Sequence, residues 1–204
     1  MKKIEYYENS IGIDEVGRGC LAGPVVAAAV VLPKNFEKFI LKDSKKLSFK
    51  QRQEAFKKIR KDSVYALGIV SEVQIDRINI LNATFQAMNK ALKQIENFKK
   101  FKVFVDGPYS FDKSNKNIVP IVGGDAKMPS IMAASIVAKC FRDNYMMKIS
   151  KDYPGYKWEK NFGYGTKEHL KNITKHGVCK HHRKSFSPIP VSYTHLTLPT
   201  TPYV

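Results

Sequence analysis

Residues 11–24 read IGIDEVGRGCLAGP. A short apolar run stops at two adjacent carboxylates, Asp14 and Glu15, and a glycine-flanked arginine follows at once as Gly17, Arg18 and Gly19. Carboxylates at a strand end can hold a hard divalent cation. A Gly-Arg-Gly backbone can approach a phosphate or sugar closely, because its two glycines carry no Cβ. Together these groups suit hydrolysis of a phosphodiester. Two further acids stand where other apolar runs stop: Asp106 at the end of KVFVD and Asp125 within GGDAK. Gathered without counter-charge, such carboxylates repel one another and their pKa values rise. A divalent cation removes that repulsion, which is the physical reason to infer a metal.

Each acid also has a plainer reading. Asp106 before Gly107 suits a turn, and Asp125 could cap the helix that follows. Their joint occurrence with Gly-Arg-Gly favours a site. Asp112, Asp143 and Asp152 are weaker candidates; Asp143 falls inside a long helix, where a surface ion pair is expected. The segment YKWEKNFGYGT, residues 156–166, mixes aromatic and basic side chains. That mixture suits stacking on sugars or bases, or a lid over the core. Tyr164, between Gly163 and Gly165, is its most exposed candidate. His176, Cys179, His181 and His182 raise the question of zinc, but structural zinc sites use two separated ligand pairs. A basic surface segment is the expectation there. No Gly-Lys-Ser/Thr phosphate loop occurs, and the spacing of Gly17, Gly19 and Gly23 misses the dinucleotide fingerprint.

The elements that would position these groups follow from periodicity. Residues 11–14, 25–32, 64–70, 102–105 and 118–122 read as strands. Ser48 with Gln51 forms a capping box for a helix over 49–61, with Phe49, Phe56 and Ile59 on its inner face. Leu81, Phe85, Met88, Leu92 and Ile95 mark a second helix by steps of four and three. A third spans 130–151, its Ala133, Ala134, Ser135 and Ala138 small enough for close packing. Thr166 caps a last short helix ending near His176. Early strands joined by short turns should be antiparallel and later ones, reached across helices, parallel. A mixed α/β sheet flanked by helices follows. If the strands of Asp14 and Asp106 are parallel neighbours, their carboxylates converge.

The chain has 204 residues and a formal net charge of +17, from 35 basic and 18 acidic side chains. So large an excess favours a polyanionic partner, nucleic acid or an anionic membrane. Three cysteines without a C-x-x-C pair argue for free thiols and a reducing compartment. No apolar segment follows Met1-Lys2-Lys3, and the run 25–32 is too short to span a bilayer. The expectation is a cytoplasmic protein with no membrane partner. One domain covers 1–190. Residues 191–204 hold no Lys, Arg, Asp or Glu, with four threonines and two prolines. They are expected to be a non-native tail of adapter-derived sequence, or a natural disordered one.

In order and spacing the chain resembles ribonuclease HII. The matching pieces are IGIDEVGRGCLAGPVV, DSKKLS, INILNATFQAM, VFVDG, GGDAK, SIMAASIVAK, GYGT and HRKSF. Arg18 stands where the related ribonuclease HIII is expected to carry Thr, and only about ten residues precede the first strand, so type II is the nearer relative. The resemblance implies a ribonuclease H-like fold: a five-stranded mixed sheet with helices around it and a C-terminal helical portion. It implies an endonuclease, acting as a monomer on RNA/DNA hybrid and on ribonucleotide-containing duplex DNA, with Mn2+ or Mg2+ and products ending in 3′-hydroxyl and 5′-phosphate. Asp14, Glu15, Asp106 and Asp125 would be the catalytic, metal-holding carboxylates. Gly17, Arg18 and Gly19 would read the 2′-hydroxyl, and Tyr164 would stack on the sugar at the RNA–DNA junction. Two rival classes are another ribonuclease H-like enzyme, such as a junction resolvase or transposase, and a non-catalytic basic nucleic-acid-binding protein.

Overall fold

A computed structural model describes residues 9–41 and 47–189. The tail 191–204 and most of the DSKKLS loop lie outside the described residues. Five strands form one sheet in the order β3-β2-β1-β4-β5. They are β1 (Ser10–Val16), β2 (Val25–Val31), β3 (Val64–Val70), β4 (Lys102–Asp106) and β5 (Ile118–Ile121). The first two pairings, β1 with β2 and β2 with β3, are antiparallel; β1 with β4 and β4 with β5 are parallel. This is the mixed sheet expected from the connections. The helices are α1 (Phe49–Asp62), α2 (Glu72–Lys93), α3 (Pro129–Ser150), α4 (Trp158–Asn161) and α5 (Lys167–His176). No described helix is long and apolar enough to cross a membrane.

Side chains alternate across the central strands. Ile11, Ile13, Val103 and Val105 pack with Ala83, Ala87, Met88, Ala91 and Leu92 of α2 on one face. On the other, Ala28 and Val30 meet Ala55 and Ile59 of α1 and the small residues 133, 134 and 138 of α3. β2 reads as a nearly continuous apolar run because helices cover both of its faces. Each fully buried Val there is worth roughly 1.5–3 kcal/mol. Gly12 in β1 permits the closest approach: a Cβ at that position would fall on the backbone of Ser130 and Ile131. Alanine and serine on α3 answer it from the helix side.

Two expected inner-face residues are exposed. Phe49 is half-exposed, whereas Ala55 and Ile59 are buried. At 100° per residue the buried stripe centres roughly a quarter-turn from Phe49. Ser48 does form the capping box with Gln51. Leu81 is also exposed, because α2 breaks at Asn79 (φ 63°). The Asn79 side chain accepts the Asn82 amide and starts a new helical segment. In that segment Ala83, Ala87 and Ala91 share the inner face with Met88 and Leu92.

Candidate active site

Ile13 of β1 pairs with Val105 of β4 in parallel register. One residue further on, where the β1–β4 pairing ends, both strands carry a carboxylate: Asp106 closes β4, and Asp14 stands beside it in β1, which runs on to Val16 against β2. Ile13 and Val105 point into the α2 core; alternation therefore turns Asp14 and Asp106 toward α3. The close packing of α3 on Gly12 brings Ser135 to Asp14, whose carboxylate it hydrogen-bonds. Asp14 Oδ1 also accepts the Glu15 amide at 2.7 Å. The turn before α3 wraps the second acid: Asp106 Oδ1 accepts the amides of Gly124 (2.7 Å) and Asp125 (3.3 Å). That turn carries Asp125, itself buried, into the same site.

Burial pushes the Asp14 pKa well above the usual carboxylate range, and the charges of Glu15 and Asp106 push it further. Burial likewise raises Glu15, against the pull of Arg18, whose Nη1 lies 3.2 Å from Glu15 Oε1. Among the described residues no three His, Cys, Asp or Glu side chains are already closed around a point that would hold an ion. The donor set fits one nevertheless. It is all oxygen, which suits Mg2+ or Mn2+, and its members repel one another in the way a divalent cation relieves.

The Gly-Arg-Gly loop is held from behind by two buried arginines. Arg142 of α3 donates to the carbonyls of Pro24 (2.9 Å), Ala22 (2.8 Å) and Phe162 (2.8 Å). Arg183 donates to Gly23 O through Nε (2.9 Å) and Nη2 (2.8 Å), and to Arg18 O through Nη1 (2.9 Å). Gly17 has φ +93°, and a Cβ there would strike the Arg142 side chain. Gly19 faces open space. Leu21 and Ala22 amides both donate to Gly163 O, and Cys20 bridges to Tyr164. The loop bearing Tyr164 is thereby docked on the loop bearing Arg18. The Lys139 ammonium lies 5.6 Å from the centre of the Tyr164 ring and pairs with Asp143 at 2.8 Å. Burial lifts the Tyr164 phenol to about 12, so it stays protonated at neutral pH.

All eight residues singled out by sequence line one cleft of about 540 Å³: Asp14, Glu15, Gly17, Arg18, Gly19, Asp106, Asp125 and Tyr164. Arg52, Ser135 and Lys139 line it too, and sequence reading did not place them there. For Lys139 a signal existed in its i,i+4 spacing to Asp143. For Arg142 none did, and Arg183 was marked only as part of the matching piece HRKSF, with no role attached. A second cavity of similar size lies at the other end of the same strands, beside Ser10, Lys34 and Pro129, and holds none of these acids.

Two sequence expectations need correction, and one open alternative is decided. Asp143 forms an ion pair, but a buried one, because α3 is enclosed by α1, α4 and the sheet. The segment around residues 179–183 is not a basic surface: His182 and Arg183 are buried, the first against Trp158 and Tyr156, the second under the Gly-Arg-Gly loop. Tyr156 and Trp158 are core residues, which leaves Tyr164 alone of those three rings at the cleft.

A family model described as Ribonuclease HII matches residues 11–189. A ribonuclease HII of Pelagibacter ubique is 48% identical over 178 residues, covering 87% of this chain and 95% of its own. One from Christiangramia forsetii is 46% identical over 194 residues, covering 92% and 96%. The crystal structure of ribonuclease H2 from Pyrococcus horikoshii OT3 shares the fold, with a TM-score of 0.75 at 24% identity, covering 91% of this chain and 97% of that one.

Proposed function

The chain belongs to the ribonuclease HII family, and from that premise we propose that its ribonuclease H activity includes incision at single ribonucleotides embedded in duplex DNA, supported by Mn2+ or Mg2+. Membership removes the two rival classes, since the relatives are ribonucleases H across nearly the whole chain. The observation that carries the finer reading is the shared cleft. Four acids line it together with the Gly-Arg-Gly loop and with Tyr164, whose loop is docked on that one.

Asp14, Glu15, Asp106 and Asp125 would hold the metal. When bound, the metal supplies an activated water and neutralises charge on the leaving oxygen. The residues themselves do the rest. Amides 124 and 125 hold one oxygen of Asp106, and the Ser135 hydroxyl holds Asp14, so neither carboxylate must reorganise on binding. Arg18 and the open backbone at Gly19 face the substrate. The 2′-hydroxyl is what separates ribose from deoxyribose. A pocket built to hydrogen-bond it rejects the deoxy analogue strongly, because the pocket's polar groups are then left unpaired. Tyr164 presents a ring of fixed pose to the adjoining sugar. The excess of basic side chains elsewhere supplies phosphate contacts that do not depend on sequence. We propose a cytoplasmic monomer with no membrane partner.

The test is a duplex with one ribonucleotide, incubated with and without Mn2+ or Mg2+. Metal-dependent incision leaving 3′-hydroxyl and 5′-phosphate ends is expected. Cleavage of long hybrid with no incision at the lone ribonucleotide would overturn the finer reading, and full activity in excess chelator would overturn the metal assignment.

A further inference from the structure

Behind Tyr164 lies a buried ring cluster with a single consistent proton arrangement. His169 Nδ1 is 2.8 Å from the Tyr164 carbonyl oxygen. A carbonyl only accepts, so Nδ1 carries the proton. His169 Nε2 is then an acceptor, and it receives the Trp158 indole N–H at 3.0 Å. On the far side the Cys179 amide donates to His182 Nδ1 at 3.0 Å. His182 therefore carries its proton on Nε2, which lies 3.3 Å from His169 Nε2. The polar hydrogens run one way, from His182 and Trp158 through His169 to the Tyr164 carbonyl. Trp158 and His169 are fully buried and His182 nearly so. Burial lowers both imidazole pKa values, that of His182 to about 4, which keeps the pair neutral at neutral pH.

On its other side the turn so held is docked on the Gly-Arg-Gly loop, by Gly163 O with the Leu21 and Ala22 amides and by Phe162 O with Arg142 Nη1. Phe162 (φ 49°) and Gly163 (φ 83°) precede Tyr164 with positive φ. The Tyr164 amide donates to Asn161 O, and its carbonyl also accepts the Thr166 amide; both partners belong to the same turn. The His169 side chain ties the Tyr164 carbonyl itself to α5, beside the Thr166 cap of that helix, and Trp158 ties His169 to α4. We propose that His169 is a positioning residue: its Nδ1–H, oriented by Trp158 and His182, sets the backbone that aims the Tyr164 ring into the cleft. The proposal rests on the reading of Tyr164 as the contact that registers a lone ribonucleotide.

Two isosteric variants separate donor placement from packing. Asn at position 169 offers an amide N–H near the Nδ1 position, and Gln offers one near Nε2. The quantity to measure is kcat/KM on a lone-ribonucleotide duplex divided by kcat/KM on a long hybrid. Wild type, Tyr164→Ala, His169→Asn, His169→Gln and the Tyr164→Ala/His169→Gln double variant are compared. Far-ultraviolet circular dichroism and a cooperative thermal transition check that each variant is folded, since Trp158 emission responds directly to the loss of its His169 partner. His169→Gln should lower the ratio about three- to tenfold, the effect of losing one hydrogen bond. His169→Asn should hold it near wild type, and the double variant should match Tyr164→Ala. An unchanged ratio in folded His169→Gln, with Tyr164→Ala lowered, overturns the positioning role and leaves the Tyr164 reading intact. A ratio unchanged in Tyr164→Ala removes both. If His169→Gln does not fold, His169→Asn decides alone: a ratio as low as that of Tyr164→Ala overturns the proposal.

Discussion

Arg183, fully buried, donates from Nη1 to the main-chain carbonyl of the exposed Arg18 at 2.9 Å. The arginine that lines the cleft is thus held by one buried behind it. Arg183 has a second role in the same fork, with Nε and Nη2 both on Gly23 O. Burial brings its pKa down to about 10, still far above neutrality, so it remains charged.

Arg183→Met should therefore act on both stability and activity. It leaves the carbonyls of Arg18 and Gly23 without this donor, at about 1–3 kcal/mol for each buried group. Urea unfolding should show a loss of about 2–4 kcal/mol, and kcat/KM on hybrid should fall with it. A variant of wild-type stability would mean that water replaces the guanidinium without penalty.

Asp106→Asn keeps the oxygen that accepts amides 124 and 125 and removes the charge. Hybrid cleavage should be lost while binding is largely spared, since affinity rests on phosphate contacts. Binding is read by fluorescence anisotropy in Ca2+ or without metal. Wild-type turnover in Asp106→Asn would sink its role as a metal ligand.

Gly12→Ala should be among the most damaging conservative changes. Its Cβ would fall on the backbone of Ser130, and neither β1 nor α3 can yield without moving Asp14 or Ser135. A destabilisation of about 3 kcal/mol, the upper end for overpacking, is expected from thermal or urea unfolding. A loss well under 1 kcal/mol would show that the β1–α3 contact is slack.

Stability should also fall on mild acidification. The folded-state pKa of His182 is about 4 against 6.5 for the free side chain, and that of His169 is lowered as well. Between those values the unfolded chain binds protons that the folded chain does not. Their contribution is complete above about pH 6.5 and is lost as pH falls toward about 4, at up to about 1.4 kcal/mol per pH unit for each histidine. The raised carboxylates Asp14 and Glu15 act in the opposite sense. The comparison is therefore with His182→Asn, whose unfolding free energy should depend less steeply on pH across this window. An identical slope in both proteins would remove His182 as the cause.

The strands, the antiparallel or parallel sense of their connections and the four acids were legible from sequence because each rests on local pattern, whereas the strand order was not. Apolar runs stop at Asp14 and Asp106, Ser48 and Gln51 announce α1, and connection length separates antiparallel from parallel pairs. The motifs around Gly17, Asp125 and Tyr164 also carried the family. Phe49, Leu81 and Asp143 were misjudged because their exposure depends on which face a neighbour covers. Only the tertiary structure could decide that, or that His182, 168 residues after Asp14 in the chain, belongs to the support of the same cleft. Buried arginines look like surface ones in a sequence of net charge +17. The two guanidinia are identified as clamps only when the carbonyls of residues 22, 24 and 162 converge on Arg142 and those of 18 and 23 on Arg183, and such convergence of distant backbone exists only in the folded chain.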